Sequence, residues 1–132
     1  MSGYSSTPLA KKLSLKPGLR AWFENMPASV RDEIGETGIL LLPAPTPPID
    51  AAHIFVTERA VLAERLHALM PLLAPAGFIW VSWPKKASKV PTDITEDVIR
   101  EICLPMQLVD VKVCAVDAVY SGLKLMIRKS AR

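Results

Sequence analysis

Gly77-Phe78-Ile79-Trp80-Val81-Ser82-Trp83-Pro84-Lys85-Lys86 is the stretch that decides the fold of this chain. In an extended strand Phe78 and Trp80 point to one face and Ile79, Val81 and Trp83 to the other, so both faces are apolar and each needs a cover. A strand of that kind sits in the middle of a sheet with helices above and below. Ala74-Pro75-Ala76-Gly77 punctuates its start. Pro84 has no backbone N–H to give a sheet ladder, so it ends the strand and delivers the chain into a basic loop.

The neighbours of that strand follow on either side. Upstream, Val61, Leu62, Leu66, Leu69 and Met70 recur at helical spacing, which predicts a helix from Glu58 to Met70 capped by Thr57 and closed by Pro71. His53 to Val56 is a strand before it. Ile39 to Leu42, an unbroken apolar run between Gly38 and Pro43, reads as a buried parallel strand. Between the two, Ala44 to Asp50 carries Pro45, Pro47 and Pro48 and is a stiff surface connection. Nearer the N-terminus, Thr7-Pro8 with Leu9 and Leu13 predicts a short helix, and Lys16-Pro17-Gly18-Leu19 a type II turn. Leu19 to Phe23 is the first core strand; Asn25-Met26-Pro27 then opens a short helix on Val30 and Ile34 that ends near Gly35. Downstream, Thr95 to Cys103 is a helix with Glu96 and Asp97 favourably placed in its first turn. Val109 to Val116 and Leu123 to Arg128 are joined too closely to pair in any way but antiparallel.

Strand and helix alternate and a hairpin follows. The fold class is therefore α/β: an open, mostly parallel sheet with helices on both faces and a C-terminal antiparallel hairpin. Trp80, Ile79, Val81, Phe55, Ile54, Trp22 and Leu66 are the expected core. At 132 residues the chain reads as one domain, 1–132, with residues 1–6 flexible. Sixteen basic against thirteen acidic residues leave a formal charge of +3, too little by itself for a committed nucleic-acid binder. No apolar run approaches the ~20 residues of a membrane span, and Met1 to Thr7 lacks the apolar core of a leader. Cys103 and Cys114 fall in apolar elements and read as buried free thiols, consistent with a soluble cytoplasmic protein.

Ligands of open α/β sheets bind outside the carboxyl ends of the strands. The basic loop leaves one such end, and it brings Lys85, Lys86, Ser88 and Lys89 near Thr92, Asp93 and Thr95 at the start of the next helix. Three ammonium groups beside a helix N-terminus suit a phosphate or carboxylate; a solvated basic loop is the ordinary alternative. Glu24, Asn25, Thr57 and Glu58 leave other strand ends on the same edge and, with Trp83, line the expected crevice, although Asn25 and Thr57 also serve as helix caps. His53 and His67 have no cysteine or acid at ligand spacing, so no metal site is expected. No serine or cysteine sits in a strained Gly-x-Ser-x-Gly turn, so no nucleophilic catalytic residue is expected either. Lys11, Lys12, Lys16 and Arg20 form a second basic group, read as a solvated face.

The order of elements, with Leu13-Ser14-Leu15-Lys16-Pro17-Gly18 leading into the first strand, resembles the class I methyltransferases and their Rossmann-like fold over Thr7 to Arg128. More closely, Gly3-Tyr4-Ser5, Thr7-Pro8-Leu9-Ala10-Lys11-Lys12-Leu13 and Trp80-Val81-Ser82-Trp83-Pro84-Lys85-Lys86 look like a family of small bacterial proteins known as a domain of unknown function, from which no activity is inherited. The methyltransferase resemblance implies a glycine-rich cofactor loop after the first strand and an acid ending the second. Here the loop is Glu24-Asn25-Met26-Pro27-Ala28, without glycine, and the second strand ends on Pro43. The chain is also one strand-helix unit shorter than that family. These departures lead to the expectation of a non-catalytic module binding an anionic small molecule or a phosphorylated partner, with no cofactor and no enzyme activity. The alternatives are an S-adenosylmethionine-dependent methyltransferase with an altered cofactor site, or a protein–protein interaction module whose sheet edge or hairpin pairs with an oligomeric partner.

Overall fold

The computed structural model describes residues 7–132, so the flexibility expected of residues 1–6, and the resemblance carried by Gly3-Tyr4-Ser5, lie outside the described residues. Six strands form one sheet, β1 (Arg20–Glu24), β2 (Leu40–Leu41), β3 (Ile49–Phe55), β4 (Leu73–Pro84), β5 (Leu108–Ala115) and β6 (Tyr120–Ile127), in the order β2-β1-β3-β4-β6-β5. The first four are parallel; β6 pairs antiparallel with β4 and with β5. Four helices, α1 (Leu9–Lys12), α2 (Ala28–Ile34), α3 (Arg59–Leu69) and α4 (Glu96–Cys103), cover both faces. The expected fold class is the observed one.

β4 takes the central position, and its two apolar faces find different covers. Phe78 and Trp80 join Leu9 and Leu13 of the α1 segment and Val30 and Ile34 of α2. Ile79, Val81 and Trp83 pack with Leu62, Leu66 and Leu69 of α3 and Ile99 and Cys103 of α4. The strand begins earlier than Gly77: Leu73 pairs with Ile49, and the register then breaks before Ala51 meets Phe78. Ala74, Pro75 and Ala76 bulge outward across that break, which is where a proline is tolerated in a strand.

Three expectations fail, each for a physical reason. Ile39 to Leu42 is not a buried strand; β2 is two residues long at the sheet edge, with Leu40 56% and Leu41 39% exposed. The return from β2 to β3 is only Leu42 to Pro48 and carries no helix, so β2 stops level with Ala21. Arg20 holds that return through hydrogen bonds to the Pro48 and Thr46 carbonyls at 2.7 and 3.3 Å. Asn25 and Thr57 are not the helix caps. Pro27 precedes α2 with Asn25 at φ 58, and Glu58 precedes α3 with no side-chain cap of its own. The Arg59 N–H at the start of α3 is met instead by the Asp93 carboxylate, at 2.6 Å, so an acid 34 residues away does the capping. Trp22 is half-buried and Val61 exposed; among the described residues no helix follows β2 before β3 begins. Thr95, by contrast, caps α4, accepting from the Val98 N–H at 3.2 Å.

At the centre of the sheet lies a pair the sequence did not suggest. His53 is mid-strand, not at the strand's start; its Nε2 shares a 2.6 Å hydrogen bond with Ser82 Oγ on β4, and its ring stacks on Phe55 at 4.6 Å. Burial pushes its pKa down from 6.5 to about 3. The unfolded chain therefore takes up a proton below pH 6.5 that the folded one refuses, so stability present above pH 6.5 is lost progressively as the pH falls toward 3. Urea denaturation should show about 2 kcal/mol less stability at pH 5 than at pH 7.5 from this residue. A His53→Gln variant should lose that part of the pH dependence; an unchanged pH profile would contradict the assignment.

Candidate functional site

Helix α2, which follows β1, lies on one face of the sheet and α3, which follows β3, on the other. The sheet's topological switch therefore falls between the carboxyl ends of β1 and β3, where open α/β sheets place their ligands. On the β1 side stands Glu24. Its carboxylate receives two hydrogen bonds from the Arg65 guanidinium of α3, at 2.8 and 2.7 Å, and a longer one from Trp22 Nε1 at 3.3 Å. On the β3 side the Thr57 carbonyl accepts from the Thr92 hydroxyl at 2.7 Å and from the Asp93 N–H at 3.3 Å. Glu58 is exposed, and among the described residues its carboxylate has no hydrogen-bond or ion-pair partner.

One strand further along, at the end of β4, a cleft of about 460 Å³ is lined by Trp83, Pro84, Lys86, Lys89, Val90, Thr92, Ile94, Thr95 and Glu96. Cavities of about 230 and 410 Å³ lie against α2 and β2 and between the C-terminal ends of α3 and α4; neither is lined by a residue singled out in the sequence as a site. The basic loop thus divides. Lys86 and Lys89 face the cleft, while Lys85 leaves it, its Nζ donating to the Asp117 carbonyl at 2.7 Å in the turn between β5 and β6. Ser88 is spent on the loop itself: its hydroxyl donates to the Lys85 carbonyl and accepts from the Val90 N–H. The Thr92 hydroxyl also accepts from the Ile94 N–H at 3.1 Å, and Thr95 lines the cleft while capping α4. Glu96 is held by Arg100 at 2.8 Å.

Of the residues read as a site, then, Lys86, Lys89, Thr92, Thr95 and Trp83 share one cleft. Lys85 and Ser88 build the loop, and Glu24, Asn25, Thr57 and Glu58 lie at or just after the carboxyl ends of β1 and β3 on either side of the switch point. Sequence reasoning missed Arg65 as the partner of Glu24 and Asp93 as a cap, since both act across long sequence separations. The two thiols are poor nucleophiles: burial pushes Cys103 up to about 11 and raises Cys114 as well. Among the described residues no group of three or more His, Cys, Asp and Glu could hold a metal ion, and no helix is long and apolar enough to cross a membrane.

No family model and no curated protein matches the sequence. Solved structures do match in fold. A SAM-dependent methyltransferase from Aquifex aeolicus aligns with a TM-score of 0.65 and 16% identity over 89% of this chain and 86% of its own. The ribosomal protein L11 methylase from Lactobacillus delbrueckii subsp. bulgaricus aligns at 0.60 with 10% identity, over 91% of this chain and 75% of its own. LepI C52A, in complex with SAH and a substrate analogue, aligns at 0.56 with 13% identity, over 91% of this chain and 39% of its own. These likenesses overturn three expectations drawn from the glycine-free loop: a non-catalytic anion-binding module, no enzyme activity and no cofactor. Neighbours that are SAM-dependent methyltransferases, or that carry SAM or SAH, favour the alternative over that reading. At these identities the likeness is one of fold: the chain has the α/β scaffold of the class I S-adenosylmethionine-dependent methyltransferases.

Proposed function

We propose that the chain is an S-adenosylmethionine-dependent methyltransferase with an altered cofactor site, a small bacterial protein of the cytoplasm that folds as one domain. The observation that carries this reading is the sheet itself. Five strands that run in one direction, with β6 alone reversed between β4 and β5 in the order β2-β1-β3-β4-β6-β5, align with a SAM-dependent methyltransferase over 89% of the chain. A fold hosts many functions, so the reading needs support from ligand binding.

In the usual place the residues present do not fit an S-adenosyl compound. Asn25, Met26 and Pro27 put side chains where glycine would let backbone approach the ligand closely. The Glu24 carboxylate is taken by Arg65. β2 stops level with Ala21, well short of Glu24, and is followed by Leu42 and Pro43, so its end supplies neither a carboxylate nor a wall. The alteration therefore involves the loop, the acid and the second strand together, and it leaves Thr57 and Glu58, across the switch point, as the open polar groups.

A thermal-shift experiment tests the reading. S-adenosylhomocysteine at about 100 times its Kd should raise Tm by roughly 10 °C, because a ligand bound only by the folded state stabilises it by mass action. ATP and adenosine serve as comparison compounds. A melting curve that S-adenosylhomocysteine does not move, or moves no more than adenosine does, would count against it.

A further inference from the structure

We infer that the cleft at the end of β4 holds the methyl-accepting substrate, and that this substrate is a small anion with a carboxylate or phosphate group on a flat or apolar body. The inference rests on the methyltransferase reading and adds the substrate class. At about 460 Å³ the cleft is of small-molecule size. It opens at the carboxyl end of β4, one strand from the switch point between β1 and β3.

The chemistry of the walls selects the anion. Trp83, Pro84, Val90 and Ile94 form an apolar floor. Above it, the other hydrogen-bonding side chains of the loop are engaged: Lys85 on Asp117, Ser88 on Lys85 and Val90, Thr92 on Thr57 and Ile94. Among the described residues only the ammonium groups of Lys86 and Lys89 have no carboxylate or other polar partner in this loop. The Thr95 oxygen accepts from Val98, which leaves its proton free to donate. Glu96 also lines the cleft, and Arg100, which it shares with Asp97 and Asp110, offsets only part of its charge; the two lysines still outnumber the one carboxylate of the lining.

The backbone points the same way. Lys89 ends a single 3-10 turn, Lys86–Ser88, at φ 61, a left-handed conformation that glycine adopts freely and lysine at a cost. A side chain kept at such a position is a reason to ask what it binds. Two charge-assisted contacts over an apolar floor suffice for about millimolar affinity in a small fragment.

Backbone amide chemical-shift titrations with phenyl phosphate, benzoate and neutral phenol test the inference on the intact chain. Phenyl phosphate or benzoate should shift the amides of residues 85–96 saturably at about millimolar Kd, and phenol should not. A Lys86→Ala, Lys89→Ala double variant should bind about tenfold more weakly or worse. A Lys11→Ala, Lys16→Ala variant, which removes the same charge elsewhere, should bind as the unaltered protein does. Whichever anion binds more tightly assigns the group. Failure of both anions to bind, equal binding of phenol, or equal weakening in the two variants would overturn the inference. The double lysine variant should keep the unaltered protein's Tm and its response to S-adenosylhomocysteine. If S-adenosylhomocysteine binds while the anions do not, the substrate class is wrong and the methyltransferase reading stands. If the anions bind through Lys86 and Lys89 while S-adenosylhomocysteine does not, the acceptor role falls with that reading.

Discussion

Replacing Trp80 by alanine is expected to cost ~3–5 kcal/mol of stability, the range for emptying a large aromatic from a packed core. Trp80 is 1% exposed at the centre of β4 and packs among Leu13, Phe78 and Val116. Its Nε1 donates to the Leu13 carbonyl at 3.0 Å, so the ring also fastens the α1 segment to the sheet. The loss is a large fraction of the ~5–15 kcal/mol typical of a domain, and a urea titration should show it as a lower midpoint with a similar slope. Trp80→Phe separates the two contributions: it keeps most of the ring volume and orphans the Leu13 carbonyl, for about 1–3 kcal/mol. A loss below about 1 kcal/mol for Trp80→Ala would mean that β4 is not the central strand.

Gly77→Ala should be nearly as damaging, for the opposite reason. A Cβ built on Gly77 would lie 2.6 Å from the Ile49 carbonyl oxygen and 3.0 Å from that of Ala74. Both are backbone atoms at the register break between β3 and β4, so neither can swing away. Relief requires moving one strand against the other, at a cost of about 1–3 kcal/mol or more. Gly18→Ala is the informative comparison, because nothing lies within 4 Å of its Cβ position and its constraint is φ 86 alone. That substitution should cost about 1–2 kcal/mol of conformational strain without disturbing the sheet. Amide exchange of Ala51 and Phe78 should quicken in the Gly77 variant and not in the Gly18 one. The same exchange rates in both variants would show that the register break tolerates a side chain.

Much of the scaffold was legible because the decisive signals are local. The alternation in Phe78-Ile79-Trp80-Val81 assigns each side chain to a face, and the structure sorts them into two separate cores as read. What was not legible depends on partners remote in sequence. An apolar run such as Ile39 to Leu42 looks the same whether a neighbour covers it or not; here the short proline-rich return leaves it an exposed edge. Thr57 has the chemistry of a cap, yet Asp93 takes that place, and no local pattern announces an acid 34 residues away. The candidate site follows the same rule. The strand-end position of the basic loop could be read from the chain, while the separation of Lys85 from Lys86 depends on where the Asp117 carbonyl lies. The loop Glu24 to Ala28 carries no glycine. Drawing from it the absence of a cofactor gave one loop more weight than the whole sheet, which the structural neighbours reverse.

Isothermal titration of S-adenosylhomocysteine into the intact protein bears most directly on the methyltransferase reading. One molecule should bind per chain with a Kd of about 10⁻⁴ M or tighter, equivalent to roughly 5.5 kcal/mol. The Lys86→Ala, Lys89→Ala variant should give the same isotherm, since those lysines belong to the neighbouring cleft. Absence of saturable heat at millimolar ligand, in a protein whose melting curve shows it folded, would contradict the account and leave the scaffold without the chemistry proposed for it.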